Sequence, residues 1–223
     1  MKKRALIIAP HPDDETLGMG GTIAKMINED TEVFILTVAG HLPPLYKEGE
    51  YELTVQEAQK AYEILGVKNS KFLEIPSSMV RDEPVHILNG KISSIITEFE
   101  PHYVFCPFPD RHIDHRVVFE STLVATRPVR KAGKNIELVA AYETLSETHW
   151  NAPYIEPNFN QNFVVDITEY IDQKIDALRC YKSQISEDQG PRSIKATKAL
   201  ATFRGTQSGF NYGEALYVIR MVG

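Results

Sequence analysis

The sequence predicts an α/β fold: a three-layer sandwich in which a mostly parallel sheet carries helices on both faces. Three observations lead there. Short apolar runs alternate with amphipathic stretches along the chain, the pattern of strand–helix–strand units. The runs are continuous rather than alternating, which suits strands covered on both faces. The 223 residues, 43% hydrophobic and 24% charged, can bury a full core without disulfides and fit one domain spanning 1–223.

Ala5–Ala9 is the first such run, and Pro10 and Pro12 end it. Residues 16–29 follow with Leu17, Ile23, Met26 and Ile27 at helical spacing. Gly18, Gly20 and Gly21 weaken that helix and let another backbone approach closely. Val33–Ala39 is the second strand, and 40–52 a loop marked by Gly40, Pro43, Pro44 and Gly49. Thr54 and Glu57 have capping-box spacing, so a helix is expected from there to Gly66. Phe72–Ile75 is a third strand, and Leu88, Ile92, Ile95, Ile96 and Phe99 mark a helix over 86–99. Tyr103–Cys106 is the fourth strand, stopped by Pro107 and Pro109, with a helix over 115–127 behind it. Leu138–Tyr142 is the fifth strand, followed by a long loop over 143–161 that carries the single tryptophan, Trp150. Phe163–Val165 reads as a sixth strand, and Thr168 as the cap of a helix that turns Ile171, Ile175 and Leu178 inward. A helix near 194–204 and a strand over 217–219 close the chain.

Composition excludes several classes. Lys plus Arg is 24 and Asp plus Glu is 30, a net charge of −6, which lacks the basic footprint of a nucleic-acid binder. It gives no bulk attraction to anionic membranes, and no apolar stretch approaches the ~20 residues of a span. Two cysteines, Cys106 and Cys180, are too few for a disulfide framework and read as two buried reduced thiols. The apolar part of Met1–Pro10 is shorter than the ~7–15 residues of a signal-peptide core, so a cytoplasmic location is expected.

In open parallel sheets, ligands sit outside the carboxyl ends of the strands, where the strand order reverses. With an order 3-2-1-4-5 that point lies between the first and fourth strands. The two densest polar clusters follow those strands: His11-Pro12-Asp13-Asp14-Glu15 and Asp110-Arg111-His112-Ile113-Asp114-His115. Taken singly, Asp13 or Asp114 is a helix cap and a lone histidine a packing residue. Together, two His/Asp clusters on converging loops point to a divalent cation, which relieves the repulsion of neighbouring carboxylates. Two histidines and one carboxylate form a catalytic zinc set with open positions, and the same set suits ferrous iron. Spacing leaves open which histidines and which aspartate take the ion.

The stretch Ala9-Pro10-His11-Pro12-Asp13-Asp14-Glu15-Thr16-Leu17-Gly18 resembles the signature of the PIG-L (LmbE-like) deacetylase family, and His112-Ile113-Asp114-His115 resembles its second motif. Softer similarity continues through Asp166-Ile167-Thr168, Tyr181–Gln184 and Gly213-Glu214-Ala215. The resemblance implies a Rossmann-like fold and a zinc-dependent hydrolase, one ion per chain, acting on an N-acetylglucosamine-type conjugate to release acetate. By motif position it implies His11, Asp14 and His115 as metal ligands. Asp13 becomes the base for the attacking water and then the acid for the leaving amine. His112 faces the developing oxyanion, and Asp114 orients a histidine ring from behind. Pro10 departs from the small residue many members carry before the motif histidine. The resemblance also allows a homo-oligomer without setting a number.

Substrate contacts are thinner. Arg81 could grip sugar hydroxyls or an anionic group, or pair with Asp82 or Glu83. Tyr142, Trp150 and Tyr154 could form an apolar wall for a sugar face. Arg192 and Arg204 are weaker candidates, and Arg111 and Arg116 flank the second motif. Two rival functions remain. A two-metal phosphoesterase acting on a small sugar phosphate would recruit Glu15 and Asp110. A nucleotide-binding module would need a Gly-x-Gly-x-x-Gly turn after the first strand, where His11-Pro12-Asp13-Asp14 stands instead.

Overall fold

The computed structural model describes residues 2–129, 131–152 and 154–223. Among them, β1 (Arg4–Ala9), β2 (Glu32–Gly40), β3 (Asn69–Pro76), β4 (Tyr103–Pro107), β5 (Leu138–Tyr142), β6 (Phe163–Asp166) and β7 (Gly213–Met221) form one sheet. Its order is β3-β2-β1-β4-β5-β7-β6. The first five strands are parallel, as expected from the alternation with helices. The last two extend the sheet antiparallel. The helices are α1 (Asp14–Asn28), α2 (Glu50–Leu65), α3 (Val85–Phe99), α4 (Ile113–Ala125), the short α5 (Lys131–Lys134), α6 (Ile171–Leu178) and α7 (Ile194–Thr206).

Successive strand residues point to opposite faces, so each continuous apolar run feeds two cores. Ala5, Ile7, Val33 and Ile35 pack with Met19 and Ile23 of α1 and Ala58, Ala61 and Leu65 of α2. Leu6, Ile8, Leu36 and Val38 pack with Leu88, Ile92 and Ile96 of α3 and Val118 of α4. Full burial of one such side chain is worth about 1.5–3 kcal/mol. That explains why β1, with Ala5 to Ala9 all buried, sits at the centre.

Several boundaries differ from the sequence expectation. The capping box at Thr54 does not open α2. The helix starts four residues earlier, entered through Gly49 at φ 89°, with Glu50 and Glu52 in its first turn, where carboxylates favour the helix dipole. Thr54 lies inside it and donates its hydroxyl to the Tyr51 carbonyl at 3.0 Å. Thr168 caps nothing. Asp166 Oδ1 accepts both its N–H (2.9 Å) and its hydroxyl (2.6 Å), closing a single 3₁₀ turn over Thr168–Tyr170 before α6. The 143–161 loop contains a 3₁₀ turn at Thr148–Trp150. The terminal strand runs nine residues rather than three. Cys106 is buried, but Cys180 is only partly so.

The glycines of α1 do serve close packing. A Cβ on Gly18 would lie 2.4 Å from the Tyr142 ring and 2.7 Å from the Glu143 carbonyl. On Gly21 it would lie 2.8 Å from Ile167. This proximity lets Glu214 of β7 accept the N–H groups of Gly21 (3.0 Å) and Thr22 (2.7 Å). Lys174 of α6 completes the lock, donating to Glu214 at 2.6 Å and to the Leu17 carbonyl at 2.7 Å, with both side chains 3% exposed.

A second buried pair ties α7 to the end of β5. Arg204 donates from two nitrogens to Glu143, at 2.9 and 2.7 Å, and His149 lies 2.9 Å from the same carboxylate. Burial raises the Glu143 carboxyl, but the bonds from His149 and Arg204 outweigh it and hold the pKa below its ordinary 4.5. The pair's stabilisation is therefore full above the ordinary carboxyl range and fades as pH falls through the folded value. Arg204→Met should cost about 3–5 kcal/mol at neutral pH, the scale for removing one partner of a buried pair. Urea melts should show that gap shrinking in acid, below the ordinary carboxyl range; an equal gap at both pH values would refute the assignment.

Candidate metal centre

β1 and β4 are neighbours, so the loops leaving their carboxyl ends face each other. The first loop passes through Pro10, whose carbonyl accepts the Ala39 N–H at 2.8 Å, and delivers His11, Asp13 and Asp14 to the cleft. Asp13 takes φ 117° at the entrance to α1, a left-handed conformation that costs a non-glycine residue about 1–3 kcal/mol. Glu15 accepts the Asp13 N–H at 3.3 Å and is itself gripped by the Tyr181 hydroxyl (2.6 Å) and Thr16 hydroxyl (2.7 Å). The second loop delivers Asp110 and His112, and α4 begins with Asp114 and His115 on its first turn.

The cluster has a centre. Asp14 Oδ2 lies 3.2 Å from His11 Nδ1 and 3.2 Å from His115 Nε2. Each imidazole is steadied by its other nitrogen: His11 Nε2 against Asp114 Oδ2 at 2.9 Å, His115 Nδ1 against Asp110 Oδ2 at 3.0 Å. Those two aspartates are anchored in turn. Asp114 accepts the Ser78 N–H (2.6 Å), and Asp110 accepts the Thr148 hydroxyl (2.9 Å) and the His112 N–H (2.9 Å). Carboxylates behind imidazoles fix ring orientation and tautomer, as around protein metal sites. The fully buried His115 Nε2, Asp14 Oδ1 and both oxygens of Asp13 lack hydrogen-bond partners. One nitrogen from each of His11, His112 and His115 lies within 4.8 Å of the others. His112 is set apart: its side chain is 21% exposed against 8% and 0% for the other two, and its Nδ1 accepts the Asp114 N–H at 3.2 Å.

The field in the cleft favours positive charge beside Asp14. Burial opposes a charged His11, yet its bonds to Asp114 and Asp14 prevail and push its pKa up to about 9. Burial is likewise overcome at His115, by Asp14 and Asp110, up to about 10. Asp14 itself is held well below the ordinary carboxyl range: burial works against this, but the nearby His115 charge and the bond from His11 overcome it. Asp13 goes the other way. Burial, aided by Asp14 and Glu15 and opposed by Arg192, lifts it to about 8. His112 falls to about 4 through burial and the charges on His11 and His115. Two imidazole nitrogens and a carboxylate, converging where cationic charge is favoured and buried atoms are unpartnered, have the chemistry to hold a divalent ion.

Residues 6–126, more than half of the chain, match the model of the PIG-L family, GlcNAc-PI de-N-acetylase. The chain belongs to the PIG-L family. It is 28% identical over 229 residues to the diacetylchitobiose deacetylase of Thermococcus kodakarensis, covering 96% of this chain and 82% of that one. It is 26% identical to the 1D-myo-inositol 2-acetamido-2-deoxy-alpha-D-glucopyranoside deacetylase of Mycobacterium sp. strain JLS, covering 89% and 79%. Among solved structures it superposes on the conserved protein TT1542 of Thermus thermophilus with a TM-score of 0.79 and 29% identity, covering 98% and 96%. These curated relatives are N-acetyl sugar deacetylases, and the fold is the LmbE-like three-layer sandwich. No helix among the described residues of this family member is long and apolar enough to cross a membrane.

The cleft gathers His11, Asp13, Asp14, His112, Asp114 and His115, which lie apart in the sequence. It leaves other candidates outside. Tyr142 cannot form a substrate wall, because it is fully buried with its hydroxyl donating to the Ile8 carbonyl at 2.9 Å. Tyr154 projects into solvent, Arg204 is spent on Glu143, and Arg116 on the Asp110 carbonyl and Glu156. Arg81 is exposed and not paired with Asp82 or Glu83; Glu83 instead meets Lys91 at 3.6 Å. Its segment reaches the cleft through Ser78. Trp150, Arg111 and Arg192 gather on the open side, Arg192 Nε 4.0 Å from Asp13 Oδ2. Sequence reasoning missed the anchoring roles of Asp110, Thr148 and Ser78. Asp110 stood inside the second cluster and could have been found there; Thr148 and Ser78 arrive from distant loops with no motif. Also missed was His41, stacked on Tyr46 at 4.0 Å, its pKa brought down to about 4 by burial and by the charges of His11 and Arg192.

Asp110→Asn should weaken affinity for an added divalent ion about 10–100-fold by loosening His115, the range seen for such outer carboxylates. Competition with a fluorescent chelator measures this, and unchanged affinity would sever Asp110 from the centre.

Proposed function

We propose that this PIG-L family chain is a metal-dependent hydrolase that removes the N-acetyl group of an N-acetylglucosamine-type amino sugar and releases acetate. The observation that supports it best is the pairing of the His11–Asp14–His115 donor set with the buried, unpartnered carboxylate of Asp13 one residue away. A divalent ion held by His11, Asp14 and His115, one zinc per chain with ferrous iron also suited to the donors, would lower the pKa of water and polarise the acetamide carbonyl.

The chain's own residues do the rest. Asp13, raised toward neutrality, is a base matched to a proton from water. It accepts that proton as the water oxygen bonds to the carbonyl carbon. It then gives the proton to the amide nitrogen as the C–N bond breaks, so amide and water become acetate and free amine. His112 accepts a backbone N–H at Nδ1 and stays neutral, which leaves its proton on Nε2. That N–H is a donor for the carbonyl oxygen as negative charge grows there, a contribution of about 2.7–4 kcal/mol where such donors have been removed. Arg81, on the segment tied down by Ser78, is the remaining candidate for a sugar hydroxyl.

The phosphoesterase alternative loses its extra ligands. Glu15 faces Tyr181 and Thr16, and Asp110 is engaged by His115, Thr148 and His112, so neither is free to bridge a second ion. The nucleotide-module alternative would press a pyrophosphate against Asp13 and Asp14. The cytoplasmic assignment is supported by the unpaired cysteines.

Asp13→Asn, which keeps the shape and tolerates positive φ, should lower acetate release about 10²–10⁴-fold. Metal content by elemental analysis should stay at the wild-type level; metal loss would make Asp13 a ligand. His115→Ala should lose the ion, and retained stoichiometric metal would refute its role. His112→Ala should reduce kcat with the metal kept, and the reverse pattern would exchange its place with His11 or His115.

A further inference from the structure

Glu15, Tyr181 and Gln184 take no part in the chemistry assigned to the histidines and aspartates of the cleft, yet their bonds converge on one peptide group. Glu15 Oε2 accepts the N–H of Asp13 at 3.3 Å. Gln184 Nε2 donates to the carbonyl of Pro12 at 3.1 Å. That N–H and that carbonyl are the two ends of the same planar Pro12–Asp13 peptide. Glu15 is fixed in turn by the Tyr181 hydroxyl, 2.6 Å from its Oε1, and both side chains are fully buried.

Tyr181 and Gln184 share a turn that follows α6, in which the Gln184 and Ile185 N–H groups bond to the Tyr181 carbonyl at 3.0 and 2.8 Å. Ser183, between them, is pinned to α2. The buried Glu57 accepts its N–H at 3.0 Å and its hydroxyl at 2.6 Å. Further along, the Ser186 N–H bonds to the Arg192 carbonyl at 3.0 Å, and the Arg192 guanidinium stands 4.0 Å from the Asp13 carboxylate. The connection between α6 and α7 thus reaches Asp13 at its peptide and at its carboxylate, and is itself tied to a third helix.

We propose that Tyr181 and Gln184 are positioning residues for the base: with Glu15 they clamp the Pro12–Asp13 peptide from both ends and so aim the Asp13 carboxylate. The inference rests on the reading of Asp13 as the base of a deacetylase. At φ 117° Asp13 holds a conformation that a non-glycine residue keeps only where its surroundings over-determine it. Turning the Pro12–Asp13 plane about its flanking bonds changes that φ and swings the Asp13 side chain. A bond at one end alone leaves the plane free to tilt; bonds at the N–H and at the carbonyl together fix it. The carboxylate needs this outside support, since neither of its oxygens has a hydrogen-bond partner of its own.

The test places Gln184→Leu and Tyr181→Phe in the wild-type chain and in the Asp13→Asn chain. Gln184 is half-buried, so its substitution leaves the core intact, and Tyr181→Phe removes one hydroxyl. In the wild-type chain each variant should lower kcat for acetate release about 10–100-fold, the scale of a small misplacement of a reacting group, with KM and metal content unchanged. In the Asp13→Asn chain the same changes should alter the residual rate less than about twofold, because they act through that one residue. An equal loss in both chains would make the role merely structural and overturn the proposal, as would an undiminished kcat in Gln184→Leu. A raised KM with kcat kept would make Gln184 a substrate contact and likewise overturn it. Hydrogen exchange of the Asp13 amide, followed by NMR, reads the clamp without turnover and should quicken about 2–10-fold in each variant; unchanged exchange would overturn the clamp. If the zinc-loaded wild type releases no acetate, the reaction is refuted and the exchange alone decides the clamp.

Discussion

The cleft between β1 and β4 collects three histidines and four carboxylates in a space nearly closed to water, and the rest of the structure is arranged around that constraint. Buried charge is tolerated only when it is paired and hydrogen-bonded. The pairing here is layered. Asp14 faces His11 and His115; Asp114 and Asp110 back those rings; Ser78 and Thr148 hold the backing aspartates. The members of these layers come from the connections after four parallel strands: His11 and Asp14 after β1, Asp110, Asp114 and His115 after β4, Ser78 after β3 and Thr148 after β5. Only a parallel sheet with its carboxyl ends aligned brings those connections to one place.

The atoms left unpartnered mark what the layering is for. Outside the cluster's paired oxygens stand Asp13, in a strained conformation beside Arg192, and the His115 nitrogen aimed at Asp14. A scaffold that satisfies Glu15 with two hydroxyls, yet leaves its neighbour Asp13 with none, separates a carboxylate tied into the packing from one left unpartnered in the cleft. The two sit two residues apart in the same motif. Their roles diverge because α1 turns Glu15 toward Tyr181 and the core while the left-handed Asp13 stays in the cleft.

Rigidity behind the cleft comes from a second kind of contact. Glycines at 18 and 21 bring α1 against Tyr142 and Ile167, and Glu214 and Lys174 bind its backbone from the antiparallel strand and α6. The helix that presents Asp14 is thereby held by both the parallel and the antiparallel parts of the sheet. Glu143 and Arg204 do the same for the segment that carries Thr148, Glu147 and Trp150. The open side of the site is thus built on an anchored turn.

Much of this was legible in the chain itself. The continuous apolar runs determined a sheet covered on both faces, the alternation determined parallel order, and the two His/Asp clusters marked the loops that meet in the cleft. Local pattern sufficed there because burial periodicity and motif spacing are properties of neighbouring residues. Tertiary structure decided the rest. Thr54 had the spacing of a cap yet lies inside a helix, because Gly49 and the acidic residues after it start the turn sooner. Tyr142 looked available to substrate yet is sealed against Gly18, a residue far from it in sequence. Asp114 backs His11, and Thr148 backs Asp110, because these partnerships are set by which loops the strand order brings together. Long-range pairing of that kind leaves no periodic trace, so it was readable only once β1 and β4 lay side by side.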